Sequence, residues 1–375
     1  MKLKATLSVL LLVIVLTVLG QDTRPTIIHV DATQAPIGVL HAHIVLPASP
    51  GPMVVAYPKW IPGEHAPTGP MNQVVRLIFS ANGKKLAWRR DEREPFTFHL
   101  DVPAGVNEVA ADLDFACEIG ALGFTSAICS SQNQLVLNWN LVVLYRPLLS
   151  NDRDLFRATL RLPQGWRYGT PLTVEQEDEA GIGFKTVSLK TLVDSPVIAG
   201  EHFQTVSLGG DHPVELDMIA ETVQALEITP EQKAHFTNLV AETTALFGGS
   251  RYQRYHMLLT LSDTTDHYTL EHFEASDNRI PDRGLLDPRI LVTSASLVPH
   301  EYVHSWNGKF RSPMGLDNAN YLEPVNCSLL WVYEGLTDYL GNILAVRSGF
   351  WTEDQFRQSR NYKWQWSRRT SSAPA

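Results

Sequence analysis

The stretch His300-Glu301-Tyr302-Val303-His304 constrains this chain more than any other. Residues four apart on a helix lie one above the other, so the two imidazoles can grip one metal ion. Glu301 falls between them, where its carboxylate reaches a water on that ion without being a ligand. Pro299 suits the first turn of such a helix, where a missing N–H costs little. A helix carrying two unrelated histidines is the plainer alternative.

A catalytic zinc normally takes three protein ligands and keeps a fourth position open. Downstream, Leu329 to Leu340 is an apolar stretch with helical spacing, broken by Glu334 and one turn later by Asp338. Leu329, Leu330, Tyr333, Leu336, Tyr339 and Leu340 can form a buried stripe with Glu334 at its edge. A half-buried carboxylate is costly unless paired or bound to metal, so Glu334 is the expected third ligand. Asp338 is a candidate for orienting a ligand histidine from behind. A solvated helix carboxylate is the alternative there.

The chain opens Met1-Lys2-Leu3-Lys4, runs apolar from Ala5 to Leu19 and reaches Gly20-Gln21. Two lysines, a short apolar core and a small residue at the exit describe a secretory signal peptide over 1–20. The core is too short to span a membrane comfortably, and no cysteine stands at the exit for a lipid anchor. A secreted or periplasmic protein is expected. The remaining stretch of about 355 residues suits two domains. A net charge of −9 argues against nucleic acid or an anionic membrane as partner. Cys117 and Cys129 could close a short disulfide loop in an exported protein. Cys327 is expected buried beside the Glu334 helix.

From Thr26 to about Ser207 the pattern is β. Ile37 to Leu46, Val74 to Phe79, Leu86 to Arg89, Phe96 to Val102, Leu135 to Tyr145 and Arg157 to Leu162 read as strands. Asn82-Gly83 marks a tight hairpin turn, and Tyr57 to Gly63 reads as a rigid structural corner. Near residue 208 the character changes. Thr229-Pro230-Glu231-Gln232 starts a helix that stops at Gly248-Gly249. Strands are expected at Tyr255 to Leu261 and at Ile290 to Thr293, with a polar loop leading to Leu270-Glu271-His272-Phe273 between them. The fold class is therefore α+β. A β-sandwich over 21–207 precedes a partial thermolysin-like, mostly helical zinc-peptidase domain over 208–375. The tail from Trp364 to Ser372 carries no helical stripe and reads as frayed.

The run from His300 through Arg311, followed by Pro313, resembles the glycyl aminopeptidase family of zinc peptidases, thermolysin-like gluzincins. Trp331 to Tyr339 looks like that family's third-ligand segment. Tyr57 to Gly63 and Val193 to Val197 look like its amino-terminal β-domain. The resemblance implies zinc held by His300, His304 and Glu334, with Glu301 as general base. It also implies a peptide substrate with a free amino terminus, beginning with glycine or alanine. Glu271 matches the residue that pairs with the substrate α-amine, although Thr269 stands where the family has glycine. A surface carboxylate is the alternative for Glu271.

Trp306, Asn307, Lys309 and Arg311 are expected to support the loop after the zinc helix, with Asn307 behind a ligand. Family members continue through more helices and usually a PDZ-like domain. A tyrosine that stabilises the transition state is expected beyond the glutamate helix. Only Tyr362 comes after Tyr339, in a segment unlike the family. A carboxy-terminally truncated member is therefore expected. Two rivals are an exported zinc endopeptidase and a non-enzymatic zinc- or peptide-binding protein.

Overall fold

Alternation of apolar and polar side chains makes the strands of the first half. Val39–Pro47 buries Leu40, Ala42, Ile44 and Leu46, and Glu108–Ala116 buries Val109, Ala111, Leu113 and Phe115. The two pair antiparallel along their whole length, from Val39 opposite Ala116 to Pro47 opposite Glu108. They sit within a nine-stranded sheet, here a computed structural model that describes residues 24–118 and 127–359. The expected signal peptide, Tyr362 and the tryptophan-bearing tail lie outside the described residues. Among the described residues no helix is long and apolar enough to cross a membrane.

The large sheet runs Val174–Asp178, Gly181–Phe184, Leu155–Arg161, Thr26–Asp31, Val39–Pro47, Glu108–Ala116, Val74–Ala81, Lys84–Lys85, and its ninth strand, Val187–Ser188, pairs with Leu155–Arg161 off that path. Asn82 and Gly83 are both left-handed, with φ 48° and 72°, and close the last hairpin. Trp88–Arg90 leaves for a second sheet beside Thr97–Val102 and Gly51–Ala56. A third sheet joins Arg167–Gly169, Val197–Gly200 and Gln134–Leu137. Val55, Phe98, Leu135 and Val197 of the small sheets share one core with Ile44 and Leu113 of the large one. The strand expected to reach Tyr145 ends at Leu137. There Trp139–Leu141 turns, and the Trp139 indole donates to the Ser195 carbonyl at 2.9 Å.

Five strands form the next sheet, ordered Phe203–Gly209, Val214–Ala220, Tyr255–Leu261, Ala275–Ile280, Thr269–Glu271. The middle three run parallel and Thr269–Glu271 is an antiparallel edge. The helices are α1 (Leu189–Val193), α2 (Pro230–Phe247), α3 (Pro288–Ser294), α4 (Leu297–His304) and α5 (Leu336–Arg347). Thr229 and Gln232 close a capping box on α2, which ends at Gly248 with φ 71°. Ile290 to Thr293, expected as a strand, lies in α3. Asp287 caps that helix by accepting from the Arg289 N–H, and Pro288 opens its first turn. These end signals outweigh the β-preference of Ile290, Val292 and Thr293.

Helix α4 turns Val298, Tyr302 and Val303 into a core shared with Tyr252, Tyr255 and Trp306. The Tyr252 and Tyr302 hydroxyls hydrogen-bond to each other. Ahead of α5, Trp331–Gly335 forms a π-turn. Its wider turn rotates α5 relative to a continuous α-helix. Leu336 and Tyr339, expected on the buried stripe, are consequently 42% and 53% exposed. Thr337, Gly341, Leu344 and Ala345 face the interior instead. Cys327 is exposed, against expectation.

Helices α4 and α5 meet at Gly341, where a Cβ would lie 2.8 Å from the His300 Cα. Gly341→Ala should therefore destabilise the protein by about 1–3 kcal/mol in urea unfolding. Gly335, where a Cβ meets nothing within 4 Å, is the control. Gly335→Ala should be neutral or stabilise by up to about 1 kcal/mol. Cys117 and Cys129 are buried free thiols with sulfur atoms 2.8 Å apart. After mild oxidation, thiol titration of the unfolded protein should find Cys327 alone still reactive.

Candidate metal centre

Helix α4 projects His300 and His304 from one face, as four-residue spacing requires. Their Nε2 atoms lie 3.1 Å apart. Glu334, carried by the π-turn, brings Oε2 to 3.2 Å from His300 Nε2 and 3.5 Å from His304 Nε2. Tetrahedral zinc with nitrogen and oxygen ligands places neighbouring donors roughly 3.3 Å apart. The three atoms already stand at that spacing. His304 donates from Nδ1 to the Asn307 carbonyl at 3.0 Å, a bond that leaves Nε2 with its lone pair toward the cradle. The donor set and its convergence fit zinc.

Asn307 also fixes the opposite side. Its amide donates to the Val332 carbonyl at 2.9 Å, the Tyr333 carbonyl at 3.2 Å and Thr337 Oγ1 at 2.9 Å. One residue thus orients a histidine through its carbonyl and holds the turn carrying Glu334 through its side chain. Asp338 is half-buried near the start of α5, three residues before the Gly341 contact with His300. Trp306 stacks on Phe247 at 4.8 Å, Lys309 turns inward and Arg311 is exposed.

Burial pushes the Glu334 carboxyl up, but hydrogen bonds from His300, His304 and His65 outweigh it and hold it well below the usual range. Glu301 behaves oppositely. Burial, reinforced by Glu271 and Glu334, pushes it up to about 8 against the opposing pull of His300 and the Thr269 side chain. Thr269 thus meets the carboxylate of Glu301.

Glu271 ends the edge strand and is only 3% exposed. Tyr333 donates its hydroxyl to Glu271 Oε1 at 2.5 Å, and Lys309 Nζ stands 3.8 Å from the same oxygen. Lys309 is held more tightly by Asp194, at 2.9 Å. Burial raises the Glu271 carboxyl, while Lys309, His304 and Tyr333 more than offset this and hold it ionised. Its carboxylate also lies within 4.8 Å of Glu301 and His304, so the edge strand and α4 meet at one point.

Sequence reading missed the contribution of the β-domain. The Tyr57 to Gly63 loop, read as a corner, runs into the site. Gly63 has φ 86°, and a Cβ there would lie 2.7 Å from Glu271 Oε2. Two residues on, His65, left-handed at φ 51°, donates from Nε2 to Glu334 Oε1 at 2.9 Å. Tyr333 packs between His65 and His304, at ring separations of 4.9 and 4.8 Å. Gly308 leaves room for that ring, since a Cβ there would fall 2.8 Å from it. A cavity of about 70 Å³ opens beside Tyr333, lined among others by Ile61, Gly63, His65 and Lys309. The Pro62-Gly63 turn was the available signal, but no spacing rule links it to a helix so far along the chain.

The fold is similar to that of an aminopeptidase N family protein from Idiomarina loihiensis, at 17% identity and TM-score 0.69. That match covers 88% of this chain, which spans 56% of the Idiomarina chain. An M1 zinc metallopeptidase from Deinococcus radiodurans is similar at 12% identity and TM-score 0.50, over 94% of this chain and 75% of that one. A mutant of that enzyme, solved with a Tyr-Ser-Ala substrate, matches with TM-score 0.51. No curated protein matches the sequence. A family model described as the Peptidase M61 N-terminal domain matches residues 27–201. A second, described as M61 glycyl aminopeptidase, matches residues 293–373, and with the two together covering more than half of its length the chain belongs to the M61 glycyl aminopeptidase family.

Proposed function

We propose that this chain is an exported zinc metalloaminopeptidase that removes small amino-terminal residues, glycine or alanine, from peptides. The observation that carries the reading is the convergence of His300 Nε2, His304 Nε2 and Glu334 Oε2 at 3.1–3.5 Å beside a buried Glu301. Those three residues would hold the ion. When bound, zinc supplies Lewis-acid polarisation of a scissile carbonyl and activation of a water. Glu301 takes the water's proton on a carboxylate oxygen and returns it to the leaving amine nitrogen. Asn307 and Asp338 orient the ligand histidines.

The edge strand Thr269–Glu271 suits an extended peptide, which can add alongside it by backbone hydrogen bonds. Glu271 receives the substrate ammonium through its carboxylate, and Gly63, whose Cβ would fall 2.7 Å from Glu271 Oε2, leaves little room beside it for a large side chain. One observation favours a second reading. Glu271 already accepts from Tyr333 and faces Lys309. If those contacts persist with substrate, no amine binds there and the activity is that of an endopeptidase. Export rests on the lysine-flanked apolar segment before Gln21, and amino-terminal sequencing of the mature protein tests it.

Glycyl- and alanyl-anilides should be hydrolysed, with turnover lost on chelation and restored by zinc. Glu301→Gln should lower the rate by about 10²–10⁴-fold while zinc stays bound. Equal signals from both proteins would leave a zinc- or peptide-binding protein without turnover. Peptides with an acetylated amino terminus should be refused, and their cleavage would replace the aminopeptidase by an endopeptidase.

The raised Glu301 also makes stability depend on pH. In chelated protein the folded carboxyl keeps its proton up to about pH 8, while the unfolded one loses it near its ordinary 4.5. Between those values the folded state binds more protons, so Glu301 makes stability fall as pH rises. Melting temperatures from pH 5 to 8 should drop less in Glu301→Gln than in the unmodified chain.

A further inference from the structure

We infer that His65, from the β-domain, is a positioning residue for the zinc ligand Glu334, so that the metal centre is completed across the two halves of the chain. The inference rests on the zinc-site reading above and extends it to a residue outside the helical ligand set.

A carboxylate that binds metal through one oxygen can swing about its Cγ–Cδ bond, and the loss of that freedom counts against binding. Here the two oxygens are treated differently. Oε2 faces His300 and His304, while Oε1 accepts from His65 Nε2 at 2.9 Å. His65 is outside the three-residue group whose donor atoms converge. It acts on the far oxygen and fixes the rotation of the carboxylate that the near oxygen needs. Hydrogen-bond partners of metal ligands usually do this, and their removal costs affinity rather than fold.

The surroundings are built to hold His65 in that pose. Its backbone is left-handed at φ 51°, uncommon for a residue with a Cβ, directly after a stretch that carries Gly63. Its ring stands edge-on to Tyr333 at 4.9 Å, and only 13% of its side chain is exposed. Tyr333 adjoins Glu334 in the same π-turn, so His65 contacts two consecutive residues of that turn. Position, backbone and packing all direct Nε2 at one oxygen.

The test is zinc affinity, measured on the full chain by competition with a chromophoric chelator, together with the visible spectrum of the cobalt-substituted protein. His65→Ala should weaken zinc about 10- to 100-fold and shift the cobalt bands. His65→Gln, whose amide N–H can reach the same oxygen, should recover most of the affinity. Melting of the chelated proteins reports whether either variant has lost its fold. His65→Ala that melts normally and binds zinc within threefold of the unmodified chain overturns the inference. So does an equal loss in both variants, because a donor at that position would then be irrelevant. Absence of stoichiometric zinc from the unmodified chain, or its retention in Glu334→Ala, overturns the site reading itself and the role of His65 with it.

Discussion

The carboxylate of Glu334 is the point on which the rest of the site depends. It is half-buried at the end of a π-turn, where an ionised carboxyl is costly unless its oxygens are matched. Every oxygen it offers is taken by a histidine: His300 and His304 on one side, His65 on the other. The histidines in turn owe their places to unrelated parts of the chain. Two come from the face of α4, one from a left-handed residue in a β-domain loop. Much else in the structure serves to bring those elements within reach. Gly341 lets α5 press on α4, Asn307 pins the turn, and Gly308 admits the ring of Tyr333.

A second set of charges locks the same parts from behind. Asp194, at the end of α1, takes Lys309, His272 and the Phe273 N–H. Lys309 also faces Glu271, which accepts from Tyr333. Burial alone would neutralise these groups. Together they stay charged, since Asp194 and Glu271 raise Lys309 and Lys309 lowers both carboxyls. Buried ions arranged this way add less to stability than to definition, because loss of one partner strands the other. The chain Asp194–Lys309–Glu271–Tyr333 therefore serves to fix where the edge strand, the loop after α4 and the π-turn stand relative to one another.

What could be read from the sequence were features whose physics is local. The shared face of His300 and His304 comes from helical spacing, the start of α2 from a capping box, and the hairpin at Asn82-Gly83 from left-handed preference. Glu334 was readable because a carboxylate interrupting an apolar helix needs a partner. The failures have equally specific causes. Ile290 to Thr293 carry β-preferring side chains, but Asp287 and Pro288 impose a helix start. The stripe through Leu336 and Tyr339 assumed uninterrupted α-helix, and the π-turn rotates those residues outward. His65, Gly63 and Asp194 carry no spacing relation to α4 at all. Their roles exist only once the β-domain has folded against the sheet.

Gly63 and His65 bring the β-domain against the acidic cluster beside α4. The edge strand, α4 and the π-turn enclose Glu271, Glu301 and Glu334 on three sides, and three carboxylates this close repel one another. Burial without compensation would protonate them, as it does Glu301. Glu334 and Glu271 escape that fate because donors reach them from elsewhere, His65 and Tyr333 with Lys309 among them. The loop bearing Gly63 and His65 closes the fourth side, presenting bare backbone to one carboxylate and an imidazole to another. Glu301, left without a comparable donor, is the carboxyl that burial raises, to about 8. The two anions are held by donors from α4, the loop after it and the π-turn, and His65 adds the β-domain's own donor to Glu334.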